Sequence, residues 1–180
     1  MKSYKAEENA ELLFEFQDDV EWEELDKQGV KLPTRMKFVD LVIERETEVL
    51  LIEIKDPSHS RSPDGERRRY LKRLSDNSIL TQELTPKARD SYLFLHLMER
   101  DSKPFKYIVL FGLDAFTPEI QKGLLLNFKD RLFDDIKCET YEPWKRKHIQ
   151  DCAVLTADSW NKKYPEMPVT RLSAAAAGGA

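Results

Sequence analysis

The stretch covering residues 37–56, KFVDLVIERETEVLLIEIKD, constrains this chain more than any other. Two β-branched apolar runs, 38–43 and 49–54, flank a short charged break. Their length and composition are those of strands and not of helices. Alternation in the second run puts Leu51, Glu53 and Lys55 on one face and Leu50, Ile52 and Ile54 on the other. With Glu46 and Thr47 as a two-residue hairpin loop, Asp40 falls directly opposite Glu53. Side chains opposed in this way have Cβ atoms about 5 Å apart. Glu-Thr is not a favoured type I′ pair, so this register stands as an expectation.

Two carboxylates at that spacing repel, and one pKa rises unless a cation lies between them. Mg²⁺ or Mn²⁺ is the natural cation for hard oxygen ligands. Such an ion lowers the pKa of bound water and stabilises charge on phosphorus. Lys55 beside it can orient the water, act in proton transfer or neutralise developing charge. The plainer reading has Glu53 and Lys55 emerging into solvent and Asp40 paired with a local Arg or Lys. Asp40 fits it less well, because its neighbours are apolar and a buried carboxylate is costly unless paired or metal-bound.

Asp40, twelve intervening residues, then Glu53-Ile54-Lys55 resembles the PD-(D/E)xK motif of the restriction-endonuclease-like nuclease superfamily. Val39 stands where the named motif has proline. The resemblance implies an α/β fold with an αβββαβ core, a central mixed sheet flanked by helices. The order read along this chain departs from that core in a long helical insertion between the second and third strands. It implies Asp40, Glu53 and Lys55 as catalytic residues. It also implies a Mg²⁺ or Mn²⁺ cofactor on Asp40, Glu53 and the Ile54 carbonyl. In this superfamily a helix before the first core strand often adds an acid; Glu11 and Glu15 are the candidates, with a solvated acidic face as the alternative. The implied function is hydrolysis of DNA phosphodiester bonds, in restriction or mobile-element defence by family association. RNA is less favoured by the resemblance, though the residues do not decide it. The alternative is a catalytically silent nuclease-fold interaction or DNA-binding subunit of a larger complex, since fold alone does not establish activity.

The rest of the chain is read around that hairpin. Residues 6–16 are predicted helical, and 17–26 a loop or a further helical turn. Residues 56–65, with two prolines and a glycine, form a loop leaving the strand end. Then 66–74, ERRRYLKRL, carries Arg67, Arg68, Arg69, Lys72 and Arg73, the densest positive patch. It is either a phosphate-tracking surface with Tyr70 available for stacking, or a solvated helix face. Residues 77–98 are predicted helical with a break or new start at Pro86, and His96 is expected to be a packed helix residue. Lys87 and Arg89 are weak phosphate candidates. Gln82 is present, but Pro86 stands where a QxxxY signature has tyrosine, so that motif is not carried over. Strands are expected at 105–111 and 152–156, with a short one at 136–141 and an edge strand at 169–172. A helix opens at Thr117-Pro118 and runs to about Phe133. In 142–150 Trp144 sits beside Lys145, Arg146, Lys147 and His148; this is more often a loop surface than a nucleic-acid site.

The 180 residues suit a single domain over 1–172, followed by a low-complexity tail, SAAAAGGA, at 173–180. A formal net charge of -4 disfavours a nucleic-acid coat protein and leaves a nuclease open, since local patches matter more than the sum. Cys138 and Cys152 form no CxxC, which fits a reducing cytoplasm and disfavours a zinc site. No apolar run approaches the ~20 residues that span a bilayer, and the N-terminus is too acidic for a signal peptide. There is no GxxxxGK[ST], so translocation would need a partner protein. A homodimer would be an economical way to cut both strands.

Overall fold

The computed structural model describes residues 2–6, 11–27, 33, 35–60 and 63–172. Its strands are β1 (Lys2–Lys5), β2 (Leu12–Phe16), β3 (Glu21–Glu24), β4 (Leu41–Glu44), β5 (Val49–Lys55), β6 (Phe105–Phe111), β7 (Asp151–Thr156) and β8 (Val169–Arg171). Its helices are α1 (Asp64–Ser75), α2 (Thr85–Leu97), α3 (Pro118–Leu125), α4 (Phe128–Cys138) and α5 (Ala157–Lys163). A π-helical turn at Leu80–Leu84 runs directly into α2.

The hairpin of β4 and β5 lies in a five-stranded mixed sheet of order β3-β4-β5-β6-β7. β3, β4 and β5 are antiparallel neighbours, whereas β5, β6 and β7 run parallel. Parallel neighbours need crossovers, which usually pack helices on a sheet face. Here α1, the π turn and α2 connect β5 to β6, and α3 and α4 connect β6 to β7. Leu51, Tyr107, Val109 and Phe111 pack under these helices with Leu74, Leu84, Leu95 and Phe128. Leu50, Ile52, Ile108 and Leu110 face the other way, onto Phe14, Trp160 and Val169. Those three belong to α5 and to a second, antiparallel sheet of order β1-β2-β8. β5 is thus covered on both faces, which is why its sequence reads as a continuous apolar run.

The register of the hairpin is the expected one. Leu41 pairs with Ile52 and Glu44 with Val49. The Arg45 N–H donates to the Glu48 carbonyl at 2.9 Å, leaving Glu46 and Thr47 as the loop. Continuing the register by one residue places Asp40 opposite Glu53.

Other expectations change. The segment read as a helix over 6–16 contains strand β2; residues 7–10 lie outside the described residues. Leu12, Phe14 and Phe16 are buried while Leu13 and Glu15 are less so, a period of two and not 3.6. Phe16 stacks on Trp22 with ring centroids 4.7 Å apart. The acidic stretch at 17–26 forms β3, on the outer edge of β4, where its carboxylates stay near solvent. The helix expected from Thr117 to Phe133 is two helices, because Asn127 takes a left-handed turn at φ 56°. The strand expected at 136–141 does not form: residues 136–138 close α4, whose Ile136 continues the buried stripe of Phe128 and Leu132. The edge strand expected at 169–172 joins β2 in the second sheet. The helical stretch over 77–98 lies between the second and third of the expected strands and supplies the crossover between parallel β5 and β6. The tail at 173–180 lies outside the described residues. Among the described residues no helix is long and apolar enough to cross a membrane.

Candidate functional site

Asp40 ends the segment that leads into β4, and α2 holds that segment in place. The Lys37 N–H donates to Asp90 Oδ2 at 2.9 Å, and the Val39 N–H to the Ser91 hydroxyl at 3.0 Å. Both acceptors are buried. Asp40 Oδ2 in turn accepts from the Ile54 N–H at 2.6 Å, so the carboxylate is fixed against β5. Glu53, fully buried, projects from β5 onto the same helix-covered face.

Two ammonium groups meet Glu53. Lys55 Nζ lies 2.6 Å from its Oε1, and Lys87 Nζ, from the first turns of α2, lies 2.8 Å from the same atom. Lys87 Nζ is also 3.6 Å from Asp40 Oδ1, so it stands between the two carboxylates. Lys55 reaches on to Glu83 Oε1 at 2.5 Å, and Glu83 Oε2 takes Arg73 at 2.7 Å. Three carboxylates, Asp40, Glu53 and Glu83, are therefore interleaved with three cations, Lys55, Lys87 and Arg73. This balance lets so many charges tolerate burial, since an unpaired one costs several kcal/mol.

Glu83 and Lys87 are four residues apart, on either side of the π-to-α junction. Pro86 explains that junction. It has no N–H to return to the Gln82 carbonyl, and its ring crowds that carbonyl in a regular helix. The wider π turn relieves the crowding, and Lys37 Nζ donates to the Gln82 carbonyl instead.

Burial and the neighbouring Asp40 push the Glu53 carboxyl up to about 7 despite its two ammonium partners. Burial disfavours the Lys55 ammonium, but Glu53 and Glu83 outweigh that and raise its pKa. Lys87 is raised for the same reason by Glu53 and Asp40. Glu83 pays for its burial but is brought down to about 2 by Lys55 and Arg73. At neutral pH both lysines are cations, which makes them electrostatic and hydrogen-bonding groups and not proton acceptors.

Asp40 and Glu53 are the hard oxygen groups that an ion could use here. Asp40 and Glu53 converge, and Glu53 Oε2 is buried with no hydrogen-bond partner. Among the described residues no three His, Cys, Asp or Glu side chains gather at one point. An ion here would rest on the two carboxylates, a backbone carbonyl such as that of Ile54, and oxygens of water or substrate.

The remaining predicted residues are dispersed. Glu15 lies on β2, in the second sheet, across from Ser3. The Glu11 carboxylate hydrogen-bonds Ser60 and lies 3.7 Å from Arg171. Over the described residues 11–16 the expected acidic helix does not form, because the alternating Leu12, Phe14 and Phe16 make a strand. The basic patch splits across α1. Arg68, Arg69 and Lys72 are exposed, Arg67 donates to the His59 carbonyl at 3.1 Å, and Arg73 turns in to Glu83. Tyr70 does not offer a stacking face: it packs edge-on against Phe111, and its hydroxyl is buried. His96 is an exposed residue bonded to Asp101 and not a packed one. Sequence reasoning missed Glu83, Asp90 and Ser91, and gave Lys87 too little weight. The signal for Glu83 and Lys87 was their i, i+4 spacing across Pro86 on a helix next to the hairpin. Compared with protein-family models, curated proteins and solved structures, the chain matches none.

Proposed function

We propose that this protein is a metal-dependent nuclease that hydrolyses DNA phosphodiester bonds. The observation that carries the reading is the Asp40–Glu53 pair bridged by Lys87, with Lys55 also on Glu53 Oε1. The order β3-β4-β5-α2-β6 also resembles the βββαβ part of the restriction-endonuclease-like core. Asp40, Glu53 and the Ile54 carbonyl would hold Mg²⁺ or Mn²⁺. When bound, such an ion activates water and neutralises charge on the phosphate.

The chain's own residues supply the rest. Lys55, fixed between Glu53 and Glu83, donates hydrogen bonds to the attacking water and stabilises negative charge on the phosphate oxygens. It does not serve as the base, because its partners keep it protonated. Lys87 neutralises the paired carboxylates and can turn on its flexible stem toward a phosphate oxygen. Asp90 and Ser91 position Asp40 through the backbone of Lys37 and Val39. Exposed Arg68, Arg69 and Lys72 offer phosphate contacts beside the site.

The test is cleavage of supercoiled, linear and single-stranded DNA with Mg²⁺ or Mn²⁺, against EDTA. We expect metal-dependent cutting that falls at least about 100-fold in Lys55→Ala, the scale of losing one preorganised charge-stabilising donor. A second reading, a nuclease fold that binds DNA without cutting it, draws on the two lysines that already balance Asp40 and Glu53. DNA binding with no cutting, and no Mn²⁺ binding that depends on Asp40, would establish that reading in place of the first.

A further inference from the structure

Away from Glu53, the outer end of α2 and the loop at 141–150 enclose two adjoining cavities. The first, about 530 Å³, is walled by aromatic and imidazole rings. Tyr92 and His96 lie parallel at 7°, one helical turn apart, with centroids 5.9 Å apart. Trp144 rises from the loop, half exposed, and meets His148 edge-on. The second cavity, about 410 Å³, carries a cationic excess: Lys103, Lys145, Arg146 and Lys147 line it against one carboxylate, Asp101. Tyr92, Lys145 and Arg146 line both cavities.

Two features ask for an occupant. His148 is 5 % exposed, and neither ring nitrogen has a hydrogen-bond partner. Burial and the nearby Arg89 hold it below its ordinary pKa, so it is a neutral ring with one donor and one acceptor. Glu139, which also lines the first cavity, has its Oε2 buried and unpartnered. The fixed charges are arranged as well. Arg89 is held by Glu139 and Asp90, and Arg146 by Asp101. Lys145 and Lys147 are exposed, with no ion pair among the described residues.

We propose that these cavities form a nucleotide-binding site, with a base stacked in the ring-walled cup and its phosphate in the adjoining lysine trough. A flat π system joined to an anion is the ligand chemistry that matches both halves, and stacking on aromatic rings beside a cationic groove is how single strands are held. His148 and Glu139 supply donor and acceptor groups for a base edge. The nucleotide comes either from a single strand or from the free pool. The site shares no lining residue with the Asp40–Glu53 cluster and needs no metal.

The experiment is calorimetric titration of the full chain in EDTA. The probes are dAMP, deoxyadenosine, inorganic phosphate and a short single-stranded oligodeoxynucleotide, with Trp fluorescence followed in parallel. We expect saturable binding of the oligonucleotide, of dAMP or of both, tighter than that of deoxyadenosine or phosphate. Trp144→Ala should weaken it about tenfold, and Lys145→Ala with Lys147→Ala should weaken it and flatten its salt dependence. All three side chains are exposed, so unchanged thermal melting is expected of these variants. Binding of the oligonucleotide alone assigns the source to a strand; binding of dAMP as well assigns it to free nucleotide. The proposal fails if neither probe saturates, if phosphate binds as tightly as dAMP, or if Trp144→Ala retains full affinity. Because EDTA removes metal ions, that failure leaves the nuclease reading untouched.

Discussion

Glu53 sits in an unforgiving position. It is fully buried, faces Asp40 across the hairpin, and keeps one oxygen without a partner. Its carboxyl titrates at about 7 in the fold against an ordinary 4.5. Between those values the folded protein holds a proton that the unfolded chain has released. Stability contributed at this site is therefore complete below about 4.5 and is lost as pH rises through about 7. Glu53→Gln should remove that slope: urea midpoints of the metal-free variant should exceed those of the parent at pH 8, with the gap closing by pH 5. A parent and variant that fall in parallel across this range would show that the two lysines fully compensate the buried charge. The Asp40–Glu53 pair itself was legible in the sequence, because a hairpin loop fixes register over a few residues and the apolar runs fix the faces. Lys87 and Glu83 were not, because their place beside Glu53 depends on how a helix some thirty residues further on docks over the sheet.

At the scale of elements, Glu83 is a staple. One carboxylate binds Lys55 of β5 through Oε1 and Arg73 of α1 through Oε2, from a π turn that leads into α2. Three elements thus share one side chain. Removing a mostly buried partner leaves its cations uncompensated, so Glu83→Ala should destabilise by about 2–4 kcal/mol, near the range for broken buried pairs. In a double-mutant cycle with Arg73→Ala the coupling should be about 1 kcal/mol or more, as expected for contacting charges. Additivity of the two losses, measured by chemical denaturation, would show α1 and the π turn to be held by apolar packing alone. The strands read correctly from sequence, β5, β6 and β7, announce themselves by apolar runs of strand length. β2 and β3 did not, because strands in acidic stretches carry the residues of a solvated helix. Only their pairing with β1, β4 and β8 decides the matter.

At the scale of the whole molecule, the two sheets are tied together next to the site by a clasp around Arg171. This residue ends β8 in the small sheet and binds Asp56, the residue after Lys55, with both guanidinium branches at 2.8 and 3.1 Å. It also reaches Asp114 at 2.7 Å, beyond β6, while Asp56 accepts from the Glu11 N–H at 2.9 Å. Gly112 makes room for this. Its N–H donates to the Lys55 carbonyl at 2.8 Å, and a Cβ added there would lie 2.2 Å from Asp56 Oδ1 and 2.6 Å from Arg171. The obstruction is a buried carboxylate held on several sides, so it has no easy retreat. Gly112→Ala should therefore break the Asp56–Arg171 pair and cost about 3 kcal/mol, the scale of overpacking combined with an opened buried ion pair. Arg171→Ala should cost a similar amount by stranding Asp56. If the clasp is one unit, the two losses overlap, and the double variant should be clearly more stable than their sum predicts. Strict additivity would mean that Gly112 is required only for local backbone packing at the end of β6. On the proposed nuclease reading the linkage matters for cleavage as well as for stability, because Asp56 continues the strand that carries Glu53 and Lys55. Loosening the small sheet should then reach the site through β5 and lower cleavage in Gly112→Ala, at temperatures where the variant is still folded.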